Sequence, residues 1–266
     1  MGLPWIVAAA FPGQQRYLLH ILVFTGLFAS LALSYDLVVG HVGSLSLAHP
    51  AFFGIGAYVA ALLATEAKWP FVAGLAAAVL AAGAAALLIG VPVFRLAEHS
   101  LAIGTLGFAM VTHIVILNWV DFTRGPLCVT SIPRPSIAGL AITTLPAYYW
   151  LTLAAFAVAA VLYRALTTFR LGRAFHAVRD NEPLAQAAGI NPLKYRMMAF
   201  SIGAAVAGGV GSLRGIVIGA VLFTALPEVL RVAPTWRLVI YGSLLLAIVI
   251  RAPEGLDALF RRRAPR

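Results

Sequence analysis

Asp36, His41, Ser44, Ser46 and His49 stand inside an apolar run, SYDLVVGHVGSLSLAHPAFFGIGAYVAALL, which extends from Ser34 to Leu63. Ionisable and hydroxyl groups in such surroundings are costly, and they tend to face a bundle interior or a water-filled path. Asp36, Ser44, Ser46 and His49 are therefore candidates for lining a solute path. The blander alternative for His41 and His49 is a hydrogen-bonded histidine near an interface. Neither has a partner at ligand spacing, so no metal site is expected. HExxH, GxSxG and paired carboxylates within the apolar segments are absent, which argues against a membrane enzyme. The GxxxxGK[ST] phosphate loop is missing too, so the chain is not expected to hydrolyse ATP, and no cofactor is expected.

The second group with chemical content lies in the one long polar stretch, about 167–196: RLGRAFHAVRDNEPLAQAAGINPLKYRMMAF begins within it. Asp180 or Asn181 is placed to cap a short helix, with Glu182 and Pro183 in its first turn, where acidic side chains and proline are best tolerated. Gly189 is placed to end that helix in the left-handed conformation. Asn191-Pro192 reads as the cap and first turn of the next helix. The spacing predicts an isolated helix of about two turns with Leu184, Ala187 and Ala188 on one side. Such a helix is marginal in water and suits a partner's groove. An ordinary basic connector is the competing reading.

The elements that position these residues follow from composition. Of 266 residues, 62% are hydrophobic and 11% charged, and the mean hydropathy is +0.95. One globular core cannot hide that much apolar surface, and a disordered chain would be poor in it. A single cysteine, Cys128, closes no intramolecular bridge. The expected fold is all-α, a polytopic transmembrane bundle forming one domain over 1–266, with six or seven spans. Apolar segments run over about 17–39, 45–64, 71–93, 101–119, 145–166, 197–230 and 238–250. The start of the chain does not read as a signal peptide. Residues 71–93 are almost entirely Ala, Gly, Leu and Val, and form a thin helix able to approach its neighbours closely. Gly54, Gly56 and Ala57 offer a second small-residue face.

The net charge of +10 is nearly all arginine. It fits basic residues retained on the cytoplasmic side better than nucleic-acid binding. Placing 167–196 inside, with the 94–99 link and the basic tail 251–266, puts twelve basic residues on that side. Six then fall outside, at Arg16, Lys68, Arg124, Arg134, Arg231 and Arg237. Cys128 lies outside on this reading. The 197–230 segment is too long for one helix and barely enough for two, which leaves the parity of the last spans open.

Residues 34–63 resemble the GxxGxxSLGHxAFFGIGAY signature of branched-chain amino acid ABC transporter permeases of the LivM type. Residues 102–133 resemble the family's segment ending in TxGPxGLxxIP, 172–200 its GRAxxAxRxxExAAxxxGIxxxxYK stretch, and 211–231 its GSLxGPVxGAxxLxxLPExLR block. The resemblance implies a multi-pass permease subunit of the bacterial inner membrane. Its implied partners are a sister permease (LivH type), two ATP-binding subunits (LivG and LivF type), a periplasmic substrate-binding protein and membrane lipid. It further implies that the short helix docks on an ATP-binding subunit, a role carried by Asp180, Glu182, Leu184, Ala185, Ala188 and Gly189. Ser44 replaces the family's usual Gln, Ala48 its Gly, and Asp36 stands where many members have Asn. The family also carries further sequence between the blocks that here meet near 208–211, an internal deletion of roughly two spans. A permease remnant that assembles without transporting, and a partner-independent carrier or channel, are the alternative functions.

Overall fold

The computed structural model describes residues 15–208, apart from 97, 128, 138 and 139. The side of Cys128, the join at 208–211, the last span and the basic tail lie outside the described residues. Eight helices organise the described part: α1 Gln15–Asp36, α2 His49–Thr65, α3 Phe71–Val93, α4 Glu98–Asn118, α5 Leu145–Thr168, α6 Arg170–Asp180, α7 Glu182–Ala187 and α8 Pro192–Ala207. A π-helical turn, Leu37–His41, continues α1, and a short turn, Val120–Thr123, follows α4. The only strand pairing among the described residues is the two-residue ladder Ser136–Ile137 with Leu140–Ala141.

Among the described residues, four helical segments are long and apolar enough to cross a membrane: Arg16–His41, Phe71–Val93, Ser100–Asn118 and Leu145–Thr168. The α2 helix, at 17 residues, is shorter than a full span. It begins at His49, because residues 45–48, the start of the expected 45–64 segment, are not helical. Pro50 in its first turn sets that start. The boundaries of the 17–39, 71–93, 101–119 and 145–166 segments fall within about three residues of those read from the sequence. The α8 helix starts at Pro192, ahead of the expected 197, and the 230 and 238–250 limits lie outside the described residues.

The bundle is organised around α3. Gly74, Ala78, Ala82, Ala86 and Gly90 recur every four residues and are buried along one stripe. With no bulky side chain on that stripe, α2 and α8 pack closely on it, and these are the two most extensive helix pairs. Gly56 of α2 meets Gly208 so closely that a Cβ would lie 3.1 Å from the Gly208 Cα. Gly54 has more room, with its nearest neighbour, Ile116, at 3.7 Å.

Toward the α7 end, the glycine contacts give way to aromatic packing. Phe200 of α8 stands edge-on to Phe52 and Phe94, with ring centroids 5.2 and 5.1 Å apart. Edge-to-face pairs place the positive ring edge on the negative face and add to the burial itself. A second cluster joins Leu33, Leu37, Tyr163, Phe175 and Val178 across α1, α5 and α6. This cluster fixes the polar arm to the bundle.

Candidate functional site

The polar arm starts with a sharp turn. Phe169 is extended between α5 and α6. Gly172 lies so close to the Thr167 carbonyl that no Cβ fits there. One face of α6 carries Gly172, Ala174, Phe175 and Val178 into the bundle. The next helix, α7, has only six residues and is held by caps at both ends. The Asn181 side chain accepts a hydrogen bond from the Leu184 N–H at 3.0 Å. Asn181 therefore does the capping, and Asp180 is the last residue of α6. At the other end Gly189 takes φ +81°, its N–H bonds to the Gln186 carbonyl, and the Ile190 N–H reaches the Ala185 carbonyl. That is the Schellman arrangement, which only glycine adopts without a Cβ penalty. Asn191 then caps α8 by accepting from the Lys194 N–H at 3.2 Å.

The caps fix which face of α7 looks outward. Leu184 is 68% exposed, and Pro183, Ala187 and Ala188 are exposed with it. Ala185 is buried in the cluster that holds Phe175 and Val178. It anchors the helix and has no surface to offer a partner. Glu182 faces α8, with Oε2 2.9 Å from Arg196 Nη2 and Oε1 3.5 Å from Nη1. A guanidinium fork on a carboxylate fixes direction as well as distance.

A second tie runs from α6 to the end of α1. The Arg179 guanidinium donates to the Gly40 carbonyl, and its Cγ closes on Gly43, which sits at φ +76°. Beside this contact, the Tyr163 hydroxyl donates to Asp36 Oδ2. His41 Nδ1 lies 3.4 Å from Asp36 Oδ2 and 3.3 Å from the Tyr163 hydroxyl. The His176 ring of α6 stacks at a tilt on His41, centroids 5.1 Å apart. Asp36 is thus a junction residue shared by α1, α5 and, through His41, α6.

Between α1 and α2 the chain forms a non-helical elbow over residues 43–48. Irregular backbone at membrane depth is tolerated only where protein or a cavity satisfies it. Here the Ser44 N–H bonds to the Val38 carbonyl at 3.2 Å, the Leu47 N–H to Thr105 Oγ1 at 3.0 Å, and the Ala48 N–H to Ser46 Oγ at 3.3 Å. Ser44 and Ser46 are buried in this elbow. His49 is buried as well, its ring set edge-on to Tyr35, Phe52 and Phe200. Gly203 makes room for it: a Cβ there would lie 2.9 Å from the Ser34 carbonyl oxygen and 3.3 Å from His49 Nε2.

None of Asp36, Ser44, Ser46 and His49 lines the open cavity of about 900 Å³ at the opposite end, which lies between α1, α2 and α5 and beneath residues 131–136. Its walls include Ala57, Ala60, Tyr148, Lys68, Trp69 and Arg134. The links at this end are joined by an exposed Arg124–Glu66 ion pair at 3.1 Å. Sequence reasoning did not single out Tyr163, His176, Arg179, Lys68 or Arg134 as site residues. The one available signal was a tyrosine near the end of an otherwise aliphatic span. Among the described residues, no group of three or more His, Cys, Asp or Glu is placed to hold a metal ion.

A bundle built to cross a membrane, with one capped helix held out on its polar arm, has the build of a membrane permease subunit. The family described as branched-chain amino acid transport system / permease component matches residues 17–208, and the chain belongs to it. It is 29% identical to the high-affinity branched-chain amino acid transport system permease protein LivM of Escherichia coli K12, over 96% of this chain and 74% of the relative. It is 28% identical to the corresponding permease protein LivH of Salmonella typhimurium, over 73% of this chain and 68% of the relative. No solved structure matches it. The alignment with LivM runs over 313 positions, 47 more than the chain has residues, so at least that many positions of the relative have no counterpart here. The family match stops at residue 208, where the sequence reading puts the shortened join.

Proposed function

We propose that this chain is a membrane-spanning subunit of an ATP-driven importer in the bacterial inner membrane, with branched-chain amino acids or related small amphipathic solutes as cargo. A sister permease completes the pathway, two ATP-binding subunits supply the energy, and a periplasmic binding protein delivers the solute. The chain itself is no enzyme. The observation that carries this reading is α7: six residues capped at both ends, with Leu184 exposed and Glu182 tied to Arg196. On this reading the α7 end faces the cytoplasm. An ATP-binding subunit grips Leu184, Ala187 and Ala188, and its closure is passed on by two routes. One is the Glu182–Arg196 pair into α8. The other is the Arg179–Gly40 contact into the α1–α2 elbow.

Reconstitution of the full set of subunits in proteoliposomes tests the reading. ATP-dependent uptake of leucine is expected only when all partners are present. Leu184→Asp should abolish it while leaving the bundle folded, because the side chain is largely exposed. Full uptake with Leu184→Asp, or uptake driven by an ion gradient without ATP-binding subunits, would refute the reading. A second reading is a subunit that assembles without transporting, and the positions of LivM without counterpart here, at least 47, favour it. Co-purification with the ATP-binding subunits and no uptake of any candidate solute would select it.

A further inference from the structure

We infer that the cavity between α1, α2 and α5 is a receiving site, contained within this one subunit, for a solute that carries a carboxylate and an apolar side chain. The inference rests on the permease reading above and names a place and a charge rule for its cargo. The volume, about 900 Å³, falls in the range of small-molecule pockets and exceeds what one amino acid fills, leaving room for water.

The lining divides by chemistry. One wall is alanine, with Ala57, Ala60, Ala61 and Ala64 repeating down α2, and Val23 and Leu27 of α1 stand with it. The rim carries Lys68 and Arg134. Neither has an ion-pair partner among the described residues, since Glu66, the acid nearest in sequence to Lys68, is engaged by Arg124. No acidic residue is found among the described residues that line the cavity. Two uncompensated cations over an apolar wall fit an anionic head on an apolar body, and they repel a cationic side chain.

Backbone geometry supports the same place. Among the described residues, three that are not glycine have positive φ: Lys68 at 52°, Arg124 at 62° and Ser131 at 61°. Lys68 and Ser131 both line this cavity. A left-handed backbone at non-glycine positions costs energy, and such positions gather at ligand clamps. The hydroxyls of Thr65, Ser131 and Ser136 add acceptors for a solute ammonium group.

The test places one thiol in the cavity, Ala60→Cys in a Cys128→Ser background, in the assembled transporter in proteoliposomes. Its rate of modification by an anionic methanethiosulfonate is compared with that by a cationic one. The anionic reagent should react about tenfold faster relative to its rate with free thiol, the order expected for unit charges in a partly wetted cavity. Lys68→Gln with Arg134→Gln should erase that preference without altering co-purification of the ATP-binding subunits. Millimolar leucine should slow the modification, and leucinamide should slow it less. Equal reactivity of the two reagents, or a preference that survives the double substitution, would overturn the inference. The labelling decides the cavity whether or not uptake is observed. Leucine uptake with all partners, measured in the same vesicles, separately decides the permease reading.

Discussion

The two ends of the bundle are built differently. At the α7 end, Asp36, His41, Tyr163, Arg179, Glu182 and Arg196 are each engaged by another side chain or a carbonyl, and the elbow donates its N–H groups to Val38, Ser46 and Thr105. At the opposite end an open cavity separates α2 from α5, two cations stand without ion-pair partners among the described residues, and the ion pair that joins the described links is exposed. A tightly bonded end transmits a displacement, because packed and bonded elements move as a body. A loosely walled end admits a solute. On the proposed function, force transmission and solute reception fall to different ends of one subunit, linked by the small-residue stripe of α3.

Substitutions at the tight end should therefore be severe, and at the open end mild. The largest effect is expected from Gly203→Leu, whose side chain would drive into the Ser34 carbonyl and His49. Overpacking of this kind costs about 3 kcal/mol at the upper end. It should appear as loss of monodisperse protein in detergent and a lowered unfolding temperature. Glu182→Lys comes next. It sets two cations against each other where a fork held α7 to α8, and uptake should fall about tenfold or more while ATP hydrolysis continues. Adding Arg196→Glu should restore much of the loss, with a coupling energy of about 1–2 kcal/mol in a double-mutant cycle. No rescue would mean that the pair does not act as a strut. Tyr163→Phe removes one hydrogen bond to a carboxylate, worth about 1–2 kcal/mol, and should lower the unfolding temperature by a few degrees. The smallest effect belongs to Arg124→Ala at the open end. Exposed pairs contribute about 0.5 kcal/mol or less, so stability and uptake should stay near wild type. A loss there as large as that of Glu182→Lys would erase the contrast between the ends.

Local features were legible in the sequence because local physics sets them. The limits of α3, a cap at position 180 or 181, the Asn191 cap, the Gly189 terminus and the outward Leu184 all follow from residue types a few positions apart. The direction of Ala185 was not legible, since six residues are too few to define a helical phase. The pair formed by Asp36 and Tyr163, 127 positions apart, and that of Gly40 and Arg179, 139 apart, come from packing alone. Nothing near Asp36 in the sequence announces that a span from the middle of the chain will bring a tyrosine to it. Of the four polar residues read as a possible path, Ser44, Ser46 and His49 are buried, whereas Asp36 stays partly exposed. The burial of Ser44, Ser46 and His49 arises from an elbow whose shape depends on Thr105 of another helix. The cavity was hidden for the same reason, because its rim joins a link after α2 to a loop before α5.

On the proposed function, α7 carries the partner's motion into the bundle. Leu184→Cys in the Cys128→Ser background, treated with a short bifunctional thiol reagent in the assembled transporter, tests it most directly. A cross-link from position 184 to an ATP-binding subunit is expected, with a yield that changes between the nucleotide-free and ATP-bound states. Co-purification of the ATP-binding subunits with no cross-link at 184 in either state would contradict it.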